Sequence, residues 1–160
     1  MIREESVQQW SQNLKESLIP GAAAGLTACA AVAAFGHRDS HSAIAPINAT
    51  SHVLWGEEAA QVERATLRHT LPGLAINASA GIWWALVFKA LFGRSAQRSP
   101  TAAIAGGLAT AAMAYGVDYH LVPKRLTPGW ENRISDRSLY MTLGIMGLAI
   151  GVGAILARKA

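Results

Sequence analysis

Four apolar runs, each about twenty residues long and almost free of charge, constrain this chain more than any other feature. They are Leu18 to Phe35, Leu71 to Phe92, Thr101 to about Val122, and Leu139 to Ala157. A hydrocarbon core about 30 Å thick is crossed by roughly 20 residues of helix. Inside it each backbone N–H and C=O must find its partner within the chain, which a helix guarantees. The runs therefore predict an all-α fold: one integral membrane domain over residues 1–160, a bundle of about four transmembrane helices. Lys89, the one charge in the second run, sits near its end, where a long side chain can carry its amine to the headgroups. Asp118 and His120 fall near the end of the third run, and Arg158 and Lys159 close the fourth.

Local punctuation agrees with these boundaries. Ser99-Pro100 starts the third helix, because proline is tolerated where the first N–H would be unpaired anyway. Pro123 and then Thr127-Pro128-Gly129 end it, and Thr70 is placed to cap the second.

Hydrophobic residues make up 51% of the chain but aromatic ones only 7%, so alanine and glycine carry much of the apolar content. Small residues suit helices whose backbones approach closely in lipid, where no hydrophobic effect drives one helix against another. Gly21 and Gly25 form one GxxxG pair, Gly147 and Gly151 another, and Gly73, Asn77 and Gly81 fall four apart on one face. The partners these faces indicate are the lipid bilayer, other helices of the chain, and a second copy or another membrane protein. A net charge of +4, with its basic residues scattered, offers no stripe for nucleic acid. The lone Cys29 excludes an internal disulfide and any multi-cysteine metal site, and reads as a small packing residue.

Two segments read as interfacial. Val7, Trp10 and Leu14 share a helical face, which predicts a short N-terminal amphipathic helix lying on the membrane. The first loop, Gly36 to Thr70, predicts helix around Pro46 to Trp55 and again from Glu57 to Leu67. Tyr115, Tyr119 and Trp130, with Trp83 and Trp84, fit an aromatic belt. With both termini inside, seven basic residues fall on each side, so the positive-inside count is tied. Arg94 and Arg98 in a very short loop, and Arg158 and Lys159 abutting the last run, favour cytoplasmic termini.

With four spans, the first and third loops share one side of the membrane, gathering Asn48, His52, Glu57, Glu58, Glu63, His69, Asp118 and His120 there. Histidines and carboxylates are ligands for divalent zinc, iron or manganese and carriers of protons. The candidate metal set is His52, His69, Asp118, His120 and Glu58, set against solvated loop charges. Asn48, His52 and Glu63 would line one face of a continuous helix, but Gly56 argues against continuity. An acid in the last turns of a membrane helix is costly unless paired. Asp118 is therefore a candidate for function, for a local pair with Lys124 or Arg125, or for a headgroup-level anchor of its helix. The H-E-x-x-H signature, paired Glu-x-x-His motifs, the G-x-S-x-G elbow and the P-loop are all lacking, which leaves catalysis and nucleotide binding without a motif.

The segments Ala45 to Gly56, APINATSHVLWG, and Tyr115 to Glu131, YGVDYHLVPKRLTPGWE, resemble a group of small uncharacterised bacterial inner-membrane proteins with four spans. The likeness covers about Ala45 to Leu139. A more distant one, in span number and a few loop residues, is to YagU-type inner-membrane proteins, which are linked with acid tolerance. The resemblance implies a bacterial inner-membrane location and brings no catalytic residue. Three functional classes follow: a non-enzymatic accessory or envelope-stress component, a metal-dependent membrane enzyme or metal handler, and a small oligomeric transporter or proton conductor.

Overall fold

A computed structural model describes residues 2–158, and among them it contains helices and no strand. Four long helices are α1 (Ile2–Ser40), α4 (Thr70–Ala96), α5 (Pro100–His120) and α6 (Asp136–Ala157). Two short ones, α2 (Ala45–Thr50) and α3 (His52–Trp55), lie in the first loop, followed by a 3-10 turn at Glu57–Gln61. Two further 3-10 turns, Lys124–Leu126 and Trp130–Asn132, lie between α5 and α6. Each long helix packs on the next, and α6 closes the ring against α1. Neighbours run antiparallel: Gly21 meets Ile82 while Gly25 meets Asn77, and Gly107 meets Gly147 while Gly151 meets Ala103.

Glycine sets the closeness of two helix pairs. A Cβ at Gly25 would land on the carbonyl oxygen of Asn77, and one at Gly81 on that of Gly21. On the other side of the bundle, a Cβ at Gly147 would come within 2.6 Å of the Gly107 carbonyl oxygen. Backbones this close gain dispersion contacts and weak Cα–H···O bonds that larger side chains would forbid. The small-residue faces are thus spent inside the chain, pairing α1 with α4 and α5 with α6.

The interior between these pairs is correspondingly small-residue and partly polar: Ala24, Ala28, Ala103, Ala111 and Ala114, with Thr110 and Thr142 fully buried. Thr110 returns its hydroxyl to the Gly106 carbonyl oxygen of its own helix at 2.9 Å. Large apolar side chains instead face outward on every long helix, among them Ile19, Leu26, Leu91, Leu108, Met113, Leu148 and Leu156. Such an outward apolar surface is what a lipid solvent requires. Three helices, α1, α4 and α6, are long and apolar enough to cross a membrane. The run from Thr101 does form a helix, α5, but it is not among those three. Pro100, the glycines and the threonines lower its mean hydropathy, and Asp118, Tyr119 and His120 close it.

Several local expectations change. The N-terminal amphipathic segment is not a separate helix, because α1 runs unbroken from Ile2 to Ser40 and carries Pro20 inside it. At 1.5 Å per residue α1 is roughly 58 Å long, well beyond a bilayer's hydrocarbon core. Val7, Trp10 and Leu14 are exposed on its first turns. Helix expected from Glu57 to Leu67 shrinks to the turn at Glu57–Gln61, since Gly56 takes φ +83° and breaks continuity with α3. Trp84 and Trp130 are buried and belong to the core, whereas Trp83 is exposed. Thr70 opens α4 from inside its first turn, with His69 at the cap position and no side-chain cap bond. Ser99 behaves as its sequence promised, accepting from the Ala102 N–H at 3.0 Å with Pro100 next to it. Cys29 is buried and free, and Lys159 lies outside the described residues.

Candidate functional site

The first and third loops fold together into a cap over one end of the bundle. Its centre is Thr50, at the end of α2. The Thr50 hydroxyl oxygen accepts from Asn77 Nδ2 of α4 at 3.0 Å and from Trp130 Nε1 of the third loop at 3.1 Å. Asn77 also donates to the Gly73 carbonyl oxygen at 2.8 Å, so its amide NH2 is fully used. Asn48, wholly buried two residues before Thr50, donates to the carbonyl oxygens of Val62 and Arg64 at 2.6 and 3.0 Å. Its own side-chain oxygen accepts from the Thr70 hydroxyl at 2.7 Å. With every side-chain N–H of Asn48, Asn77 and Trp130 paired, the cluster fixes one arrangement of loop on helix, because any shift would strand a donor away from water.

Charged side chains clamp the rim of the cap. Arg133 bonds to the Ala60 carbonyl oxygen and pairs with Glu63 at 3.2 Å. At the end of α1, Asp39 accepts from the Ser135 backbone N–H at 2.9 Å and from the hydroxyls of Ser135 and Ser138, holding the start of α6. A carboxylate there also complements the positive end of the α6 dipole. Gly129 packs so tightly under α2 that a Cβ would lie 2.8 Å from both the Ala49 carbonyl oxygen and His52 Nδ1. Its φ of +76° independently favours glycine.

The sequence-predicted candidates occupy this cap but do not converge. His52 is buried, with Nδ1 2.8 Å from the Ala49 carbonyl oxygen and Nε2 3.1 Å from that of Lys124. A metal needs a ring lone pair directed at open space, and both nitrogens of His52 face backbone oxygens instead. His69 turns its Nδ1 to the Thr66 hydroxyl at 3.0 Å. Glu58 is exposed. His120 is exposed and lies edge-on to Tyr115, with ring centroids 5.0 Å apart. Asp118 is half-buried near the end of α5. No ion pair joins it to Lys124 or Arg125 among the described residues. Among the described residues no three His, Cys, Asp or Glu side chains come together.

Two cavities bear on function. One, of about 350 Å³, opens in the cap between His52, Glu57, Tyr119, Lys124, Thr127 and Glu131. Thr127 donates its hydroxyl to Glu131 at 2.8 Å, and the buried Tyr119 hydroxyl has no partner. The larger, about 750 Å³, lies at the opposite end of the bundle between α1, α4 and α6.

Sequence reasoning singled out Asn48, His52 and Glu63 but missed Thr50, Asn77 and Trp130 as a unit. One signal was present: an asparagine inside an apolar helix has to find a partner. That partner, Thr50, lies 27 residues away. Comparison with family models, with curated proteins and with solved structures finds no match for this chain.

Proposed function

We infer that this chain is a four-span bacterial inner-membrane protein, with both termini cytoplasmic, that works by binding rather than by catalysis, as an accessory or envelope-stress component. The observation that carries the non-catalytic reading is how the cap's polar side chains are used. Asn48 donates both amide protons to backbone, Asn77 and Trp130 donate to Thr50, and both ring nitrogens of His52 face backbone carbonyl oxygens. Catalytic groups need a free proton or lone pair facing a substrate, and the N–H donors of Asn48, Asn77 and Trp130 are all turned inward to partners. The fourth span is supported by α5's place in the bundle. It packs against α4 and α6, both membrane-length helices, and exposes Leu108 and Met113 on its outer face. The resemblance to small inner-membrane proteins supports the bacterial location.

Elemental mass spectrometry of detergent-purified protein tests this reading. Zinc, iron and manganese should all be substoichiometric. Stoichiometric metal that disappears in an Asp118→Asn, His120→Ala variant would overturn it and establish a metal protein.

One observation favours a second reading. Asp118 lies in α5 without a cationic partner among the described residues, as an acid on a proton path would. In that reading several copies form a small transporter or proton conductor, and Asp118→Asn abolishes flux into vesicles. Unchanged flux would remove its support.

A further inference from the structure

We propose that the cleft between α1, α4 and α6, at the end of the bundle away from the cap, binds an anionic phospholipid, its headgroup at the mouth and an acyl chain between the helices. The inference rests on the membrane reading above. Each wall of the cleft belongs to one of the three membrane-length helices. Its volume of about 750 Å³ is ample for part of a lipid, since ligand pockets commonly run to roughly 300–1,000 Å³.

The lining changes character along the helix axes. Toward the bundle centre it is apolar: Pro20 from α1, Ala85 and Phe88 from α4, Ile150 and Ala154 from α6. Toward the helix ends it becomes polar, with Asn13 and Glu16 from α1, and Lys89, Arg94 and Gln97 from α4 and its cap. From Ala85 to Gln97 the cleft extends roughly 18 Å at helical rise, about the depth of one leaflet in a core about 30 Å thick. A lipid presents the same sequence of chemistries, chain inward and headgroup outward.

The charge at the mouth selects the headgroup. Lys89 pairs with Glu16 across the α1–α4 seam, which neutralises both. Arg94 is exposed and has no carboxylate partner among the described residues. The mouth therefore carries one net positive charge, with asparagine and glutamine amides beside it to donate to phosphate oxygens. The cleft stays open because small residues line it. Gly153 only just reaches α1, and a Cβ there would lie 3.4 Å from Pro20 Cβ, while Ala154 and Ala157 leave the remaining width unfilled.

The test is intact-complex mass spectrometry of the full chain from mild detergent, with phosphatidylglycerol or phosphatidylcholine of identical chains added. One phosphatidylglycerol per chain should be retained, with a preference of about fivefold over phosphatidylcholine, the scale expected for one net basic charge at a headgroup. Lys89→Gln with Arg94→Gln leaves Glu16 unpaired at the mouth and should turn the preference toward phosphatidylcholine while leaving some binding of both lipids. Ala154→Phe should fill the cleft and remove both, and Ala157→Phe, at an exposed position of the same wall, serves if the first variant fails to fold. Glycerol phosphate, the headgroup chemistry without chains, should not displace the lipid. Equal retention of the two lipids, a preference that survives the double variant, binding unaffected by either phenylalanine, or displacement by glycerol phosphate would each overturn the proposal. Cysteine labelling across α5 tests the span count separately, so the two failures are distinguishable.

Discussion

Two buried threonines show that the same side chain can be indispensable or superfluous. Thr50 accepts two hydrogen bonds from buried donors, and Trp130 has no other acceptor for its indole N–H. Thr50→Val keeps the shape and removes the acceptor, so the desolvated indole N–H is left unpaired at a cost of about 1–3 kcal/mol. Thr50→Ser restores the oxygen and should recover most of that loss. Thr142 is equally buried, in the second turn of α6, yet its hydroxyl has no partner among the described residues. Thr142→Val therefore discards an unpaid polar group and is expected to leave stability unchanged or to raise it by about 1 kcal/mol. Thermal unfolding in detergent, followed by helical circular dichroism, checks all three variants. A Thr50→Val protein as stable as the parent would mean that the cap does not depend on this cluster. Residue types alone do not separate these two threonines, since one lies in a loop and the other in an apolar helix. Partners distant in sequence decide their roles.

Glycines on one helix divide in the same way, and here the difference belongs to helix packing. Gly107 of α5 sits against the backbone of α6, where an added Cβ would strike the Gly147 carbonyl oxygen. Gly116, nine residues along the same helix, has nothing within 4 Å of where its Cβ would be. Gly107→Val is expected to push α5 away from α6 and to cost at least about 2–3 kcal/mol of overpacking. Gly116→Ala should be neutral or stabilising by up to about 1 kcal/mol, the helix-propensity gain of alanine over glycine. Detergent-unfolding midpoints of the two variants provide the comparison, and equal effects would contradict the α5–α6 seam. The four-residue spacing of Gly21 with Gly25, and of Gly147 with Gly151, was readable as a close-contact face. Spacing does not reveal what a face touches, and the structure gives those faces to helices of the same chain. The N-terminal segment was misjudged for a related reason. Amphipathic periodicity at Val7, Trp10 and Leu14 marks a helix, but it does not say whether that helix continues through Pro20. Proline removes one ladder hydrogen bond and usually bends or breaks a soluble helix. In α1 the helix continues through it, and α4 is contacted on both sides, by Glu16 through Lys89 before the proline and by Gly21 and Gly25 after it.

At the scale of the whole molecule, antiparallel order was legible because four apolar runs joined by polar loops have few other ways to pack, and it brings the first and third loops together. The pairing between those loops was not, because it depends on contacts such as His52 with Lys124, 72 residues apart. How many helices cross is the question on which the bundle's sidedness turns. Hydropathy alone favours three, yet α5 is packed against α4 and α6 over a helix of 21 residues, roughly 31 Å, enough for a hydrocarbon core. Leaving α5 outside the bilayer would pull it from both neighbours and expose the α5–α6 glycine seam, so α5 should cross with them. Single cysteines at Arg98 and Glu131, which flank α5, decide this in a Cys29→Ala background. An impermeant maleimide applied to intact cells should label Glu131→Cys and spare Arg98→Cys until the membrane is opened, because the proposed cytoplasmic termini would place the cap outside. Labelling at Arg98→Cys alone would keep four spans and invert the orientation. Labelling both positions from one side would remove α5 from the membrane, and the cap with its buried Asn77–Thr50–Trp130 cluster would then have to assemble without a fourth crossing beneath it.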